Sequence, residues 1–159
     1  MQELIIQFTA SFLIFGMYAG IFLLWVIDGK IKKEQALHAL LASALSWIAA
    51  GMLKDLFHTP RPFLLNSLPT KVFMTPIDGA FPSAHAATAF AMATTIWLHD
   101  KKWGIAYLSM ALLIGIARVV GNVHFPVDIL GGAVLGSAVA LTIERLHLFK
   151  FLSGKSKKK

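Results

Sequence analysis

The chain alternates between long apolar runs and short polar stretches. The runs cover about residues 4–27, 35–53, 84–98, 104–117 and 127–146. About 20 apolar residues in helical form cross the hydrocarbon of a bilayer. The pattern therefore predicts an all-α, polytopic membrane bundle of about five transmembrane helices. The first run, Leu4 to Ile27, is longer than the core of a cleavable signal peptide, and Glu3 is the only charge before it. It reads as a retained transmembrane helix. At 1.5 Å per residue the third and fourth runs reach only roughly 22 Å, against about 30 Å of hydrocarbon. Such short helices would sink their ends below the membrane surface. The connection from Pro62 to Phe81 is the longest and contains Pro69, Pro76 and Gly79. It is expected to cover a site or to form a short interfacial segment. No polar linker divides the runs, so residues 1–150 are expected to form one domain, with a basic tail at 151–159.

Composition strengthens the membrane reading. Of 159 residues, 57% are hydrophobic, against about 45–50% in soluble domains. The absence of cysteine excludes disulfides, thiolate nucleophiles and cysteine-ligated metals. The net charge of +7 matters for its placement. Of 15 basic residues, all but Lys54, Arg61, Lys71 and Arg118 fall after the first, third and fifth runs. The positive-inside rule makes that side cytoplasmic, with the N-terminus outside and the C-terminus inside. The lysine tail is expected to anchor on anionic lipid at the cytoplasmic face rather than on nucleic acid.

Three of the four outward cations sit in compact polar clusters. The first is Lys54-x6-Arg61-Pro62. Six intervening residues exceed helical-face spacing, and Pro60 and Pro62 stop the helix. Lys54 is thus expected to end the second helix, with Arg61 reaching back from an extended turn. An arginine fork can hold two phosphate oxygens while lysine acts as a point charge. Snorkelling at the interface would place the same two residues. The second cluster, Pro82-Ser83-Ala84-His85, opens the third helix. There Ser83 and the Ala84 and His85 amides suit an anion, and His85 is either a catalytic or a structural histidine. The third cluster is Arg118-x5-His124-x3-Asp128. Gly121 and Asn122 permit a turn, and Pro126 starts the last helix. Asp128 can accept one imidazole N–H, which leaves the other nitrogen of His124 as nucleophile or base. A salt-bridged helix start is the simpler reading of the same spacing.

The ordered triplet resembles the type 2 phosphatidic acid phosphatase superfamily, whose pattern is K-x6-R-P, then P-S-G-H, then S-R-x5-H-x3-D. The resemblance spans Lys54 to Asp128. Ala84 stands for the usual glycine and Ala117 for the usual serine. The first change is mild if that position supplies a backbone N–H at negative φ; the second removes a hydroxyl. The resemblance implies a membrane lipid phosphatase. In it His124 attacks phosphorus, Asp128 orients His124, and His85 protonates the leaving oxygen. Lys54, Arg61, Ser83, Ala84 and Arg118 would bind the phosphate.

No cofactor and no metal is expected, because two-metal phosphatases need several carboxylates at the phosphate. Only Asp55, Asp78 and Asp128 lie near the outer side. Asp55, His58, Lys71 and Asp78 match no motif position and read as bystanders. His38, His99 and His147 are expected at the cytoplasmic interface. Gly132-x3-Gly136 predicts close packing inside the bundle rather than a dimer face. The expected substrate is a lipid phosphate or diphosphate, undecaprenyl diphosphate first, then phosphatidylglycerol phosphate or phosphatidic acid. Phosphotransfer to another lipid, a soluble phosphate ester and a silent lipid-phosphate binder are the rival readings.

Overall fold

The structure, a computed structural model, describes residues 1–26 and 33–146. Six helices follow in order: α1 (Gln2–Val26), α2 (Lys33–Phe57), α3 (Pro62–Asn66), α4 (Ala84–His99), α5 (Lys101–Val120) and α6 (Pro126–Leu146). Five are long, α3 is a single short turn, and there is no strand among the described residues. Among the described residues four spans are long and apolar enough to cross a membrane: Gln2–Val26, Lys33–Asn66, Lys101–Val120 and Pro126–Leu146. α4, with 16 residues, is shorter. It packs against α2, α5 and α6, so neighbouring helices rather than lipid satisfy its length.

Small residues explain this central position. α4 buries Ala86, Ala87, Ala89, Ala91 and Ala93, and α6 meets it with glycine. A methyl at Gly132 would lie 2.5 Å from the Ser83 carbonyl oxygen, and one at Gly136 would run into the Ala87 carbonyl. Without a hydrophobic drive between helices in lipid, such close approach is what holds them together. The Gly132-x3-Gly136 pair therefore serves intrachain packing. A second layer is apolar and larger: Met17 and Ile21 of α1, Met92 and Ile96 of α4, and Tyr107 and Ile114 of α5. Tyr107 donates its hydroxyl to the Met17 carbonyl at 2.8 Å, which satisfies the one polar atom in that layer. Bulky side chains such as Phe15, Trp47, Ile116 and Val134 project outward, as lipid-facing positions should.

The chain reverses at each helix end. One end of the bundle gathers the C-terminus of α2, the N-termini of α4 and α6, and the C-terminus of α5. Lys33, Lys101, Lys102 and Arg145 lie at the opposite end. Lys30, Lys32, His147, Lys150 and the basic tail fall outside the described residues. Three expectations need correction. α5 runs through Arg118 to Val120 and is not short. α2 ends at Phe57, ahead of Pro60, where His58 takes a positive φ of 46° and its N–H bonds the Lys54 carbonyl at 3.0 Å. Pro62 then starts α3 instead of only ending α2. Proline suits a first helical position because the missing N–H would have no partner there.

Candidate active site

The three clusters meet at one end of the bundle, and backbone contacts join them. The Ser83 N–H donates to the Asp128 carbonyl at 2.9 Å, linking the start of α4 to that of α6. Asn122 supplies the left-handed turn residue, φ 59°, between α5 and α6, while Gly121 at −70° does not. The loop 67–83 folds back over the end of α2. Ala80 N–H reaches the Thr59 carbonyl at 3.0 Å, and Phe81 N–H reaches the Thr59 hydroxyl at 2.8 Å. The loop thereby brings Asp78 and Gly79 against Lys54 and Arg61.

Lys54, Arg61, Arg118, His124 and Asp128 are all 5% exposed or less. Placing three cations in so dry a place costs several kcal/mol per ion unless each is partnered. Two of them find the same carboxylate. Lys54 Nζ donates to Asp78 Oδ2 at 2.8 Å, and Arg61 Nη2 donates to Asp78 Oδ1 at 2.7 Å. The Gly79 carbonyl accepts from both, at 2.8 Å and 3.0 Å. Arg61 also donates from Nε to the Asp78 carbonyl at 2.8 Å and from Nη1 to the Val123 carbonyl at 2.7 Å. Burial pushes the Asp78 carboxyl up, but the hydrogen bonds and charges of Lys54 and Arg61 outweigh it and hold it below its ordinary range. Asp78 is thus no bystander. Sequence spacing misses it because the contact spans 24 and 17 residues along a loop.

Arg118 is different. It makes one long bond, from Nη1 to the Ala10 carbonyl of α1 at 3.4 Å, and its buried Nε has no partner. Arg118 rather than Arg61 therefore keeps open donors. Lys54, Arg61, Arg118 and His124 all act electrostatically on His85. The His85 ring has no hydrogen bond or ion pair among the described residues. Ser83 caps α4, accepting from the Ala86 N–H at 3.4 Å, which leaves its own proton free to donate. The Ala84 and His85 amides head the helix, where no preceding turn supplies an acceptor. Ala84 is not at positive φ, so alanine fits where the family has glycine. Ala117 is buried in an apolar cluster with Ala10, Val72 and Val123.

His124 and Asp128 pair as the spacing suggested. Nδ1 of His124 lies 3.3 Å from Asp128 Oδ2, and the same oxygen accepts from the Phe125 N–H at 2.8 Å. Nε2 lies 3.3 Å from Arg61 Nη1. Arginine only donates, so Nε2 is the acceptor and Nδ1 carries the proton toward Asp128. Burial lowers the His124 pKa to about 4; Asp128 opposes this, and Arg118, Arg61 and Lys54 reinforce it. The imidazole is therefore neutral at neutral pH, with an unprotonated Nε2.

One side of the site opens to an apolar pocket of about 290 Å³ lined by Ile14, Phe15, Tyr18, Trp47, Ala84, His85 and Thr88. The side chains of Asp55, His58 and Lys71 make no hydrogen bond or ion pair with the clustered residues: His58 meets Lys54 only through its backbone N–H, and Lys71 pairs with Glu3 at 3.3 Å. His38 is 3% exposed, so it is a buried residue and not an interfacial one.

The chain is similar to several known proteins. The chain is 27% identical over 139 residues to the bacitracin transport permease protein BcrC of Bacillus licheniformis, covering 87% of this chain and 68% of that one. It is 26% identical over 129 residues to the undecaprenyl-diphosphatase BcrC of Bacillus subtilis, covering 80% and 66%. The chain thus spans about two thirds of the length of these curated relatives. The crystal structure of Aquifex aeolicus LpxE superposes with a TM-score of 0.76 at 26% identity, covering 91% of this chain and 86% of that one. The model of the PAP2 superfamily matches residues 35–151, more than half of the chain and all three clusters, and the chain belongs to that superfamily.

Proposed function

We propose that this protein is an integral membrane lipid phosphatase that hydrolyses a lipid phosphate or diphosphate, undecaprenyl diphosphate first, through a phosphohistidine. The observation that carries this reading is Arg118, a buried cation with an unpartnered Nε beside a neutral histidine. Lys54, Arg61 and Arg118 face two carboxylates, Asp78 and Asp128, so the cluster is left one positive charge in excess. A phosphate dianion supplies the missing acceptors, and its two charges balance that excess together with a protonated His85.

In this reading Arg118, the Ser83 hydroxyl and the Ala84 and His85 amides hold the equatorial oxygens. Lys54 and Arg61 add positive potential where charge develops. The arriving phosphate displaces Arg61 from Nε2 of His124. Nε2 then attacks phosphorus in line as the bond to the leaving oxygen breaks, and His85 delivers a proton to that oxygen. Asp128 stabilises the charge that His124 acquires. Water, deprotonated by His85, then breaks the P–N bond, releasing phosphate and restoring Nε2. The apolar pocket beside His85 suits the tail of a lipid, and similarity to the undecaprenyl-diphosphatase of Bacillus subtilis favours an isoprenoid diphosphate. The charge asymmetry favours a site on the outer face of the cytoplasmic membrane.

The test is phosphate release by detergent-purified protein from undecaprenyl diphosphate, phosphatidylglycerol phosphate and phosphatidic acid, with EDTA present. Release is expected with all chelatable metal removed, fastest on undecaprenyl diphosphate, and lost by at least about 10³-fold in His124→Ala. Release that persists in His124→Ala would sink the covalent mechanism, and no release from any of the three lipids would sink the lipid phosphatase reading.

A further inference from the structure

At the far end of the bundle three helices bring together a second cluster that the phosphatase reading does not use. His38 lies in the second turn of α2, His99 is the last residue of α4, and Glu144 lies near the end of α6. Nδ1 of His38 is 2.9 Å and Nε2 of His99 is 2.8 Å from the same carboxylate oxygen, Oε1 of Glu144. All three atoms lie within 4.8 Å of one another. Two imidazole nitrogens converge on one carboxylate oxygen, and Oε2 makes no hydrogen bond among the described residues, so the carboxylate keeps lone pairs free for an ion that the two rings also reach.

We propose that His38, His99 and Glu144 form a binding site for a divalent transition metal, zinc by preference, that ties the ends of α2, α4 and α6 together. Two imidazoles and one carboxylate are a ligand set that suits zinc, with water completing a tetrahedron. The exposure fits that division. His38 is buried and preorganised, while His99 at 24% and Glu144 at 16% leave an opening for the water. The field also fits, because the C-terminal ends of α4 and α6 carry partial negative charge, which favours a cation within the last turn. Buried Nε2 of His38 has no partner, so no competing hydrogen bond turns its ring away from Glu144. The site is structural and lies at the opposite end from His124, so it adds no metal to the hydrolytic chemistry.

The full chain, purified in detergent and stripped with chelator, is titrated with Zn²⁺ against a competing dye. Expected are one zinc per chain and a rise in thermal midpoint on loading. Both are expected to weaken by at least about tenfold in affinity in His99→Ala and in Glu144→Gln, but not in His58→Ala. His99 is partly exposed and Glu144→Gln keeps a similar shape, and the helical circular dichroism and thermal midpoint of each metal-free variant verify that it is folded. Co²⁺ in the wild-type protein gives an independent readout, since a tetrahedral nitrogen and oxygen site absorbs far more strongly than aqueous Co²⁺. Failure of the wild-type protein to retain zinc, equal retention by the variants, or an aqueous Co²⁺ spectrum would each overturn the site. None of these readouts depends on which lipid is hydrolysed, or on whether any is.

Discussion

Asp78 carries the clearest lesson at the scale of single residues. Its carboxylate and the adjoining Gly79 carbonyl give Lys54 and Arg61 their partners, so the two cations are held before any substrate arrives. Hydrogen bonds to charged groups contribute about 1.5–3 kcal/mol each, and Asp78 is half exposed, which favours the lower end. Asp78→Asn is expected to lower the thermal midpoint at pH 7 and to reduce phosphate release. The pH dependence has a defined sign. A carboxyl held below its unfolded value of about 3.9 stabilises above that value and ceases to as the pH falls through its folded value. The stability gap between wild type and Asp78→Asn should therefore close below about pH 4 in thermal melts. His124 yields a separate expectation. If His124 is the nucleophile as proposed, its folded pKa of about 4 means that its protonation limits kcat/KM only near that pH. An acid limb with a midpoint near 6.5 that His124 alone accounts for would show a solvated ring instead. The motif positions were legible in the sequence, because their residue types and spacing are specific. Asp78 was not, since a loop residue's partner depends on how far the loop folds back, and Pro69, Pro76 and Gly79 do not encode that register.

At the scale of elements, composition marks each helix, while packing decides where it stops. The apolar runs located all five long helices, yet α5 continues three residues beyond its run, because Arg118 has somewhere buried to go. α4 is short, as the run suggested, but sequence alone could not show that it is the central element. That role rests on alanine and glycine, which look unremarkable to any hydropathy measure. Gly136→Ala puts a methyl into the Ala87 carbonyl and should destabilise by about 1–3 kcal/mol or more. Gly51→Ala on α2, where a methyl meets nothing within 4 Å, should instead stabilise by about 0.4–1 kcal/mol. Thermal unfolding of the two variants in the same detergent checks both signs. Opposite results would place the tight helix contact somewhere other than α4 and α6.

The whole molecule is a bundle with the three polar clusters at one end and, among the described residues, Lys33, Lys101, Lys102 and Arg145 at the other. If the positive-inside rule sets the orientation, a cysteine at Lys71 reacts with an impermeant maleimide added outside intact cells, and one at Lys101 reacts only after lysis. The reverse pattern would turn the site toward the cytoplasm. Neither side chain bonds to the clustered residues, and the Lys71 contact to Gly121 runs through its backbone N–H, which cysteine keeps, so phosphate release should survive in both variants. The site's enclosure governs traffic as well. Arg61, His124 and Asp128 are each 2% exposed, and the pocket beside His85 is the approach flanked by α1, α2 and α4. If the lipid tail and the resolving water share that doorway, they must queue. The dephosphorylated lipid has to withdraw before water arrives, and a second lipid alcohol at the threshold then competes with water for the phosphoryl group.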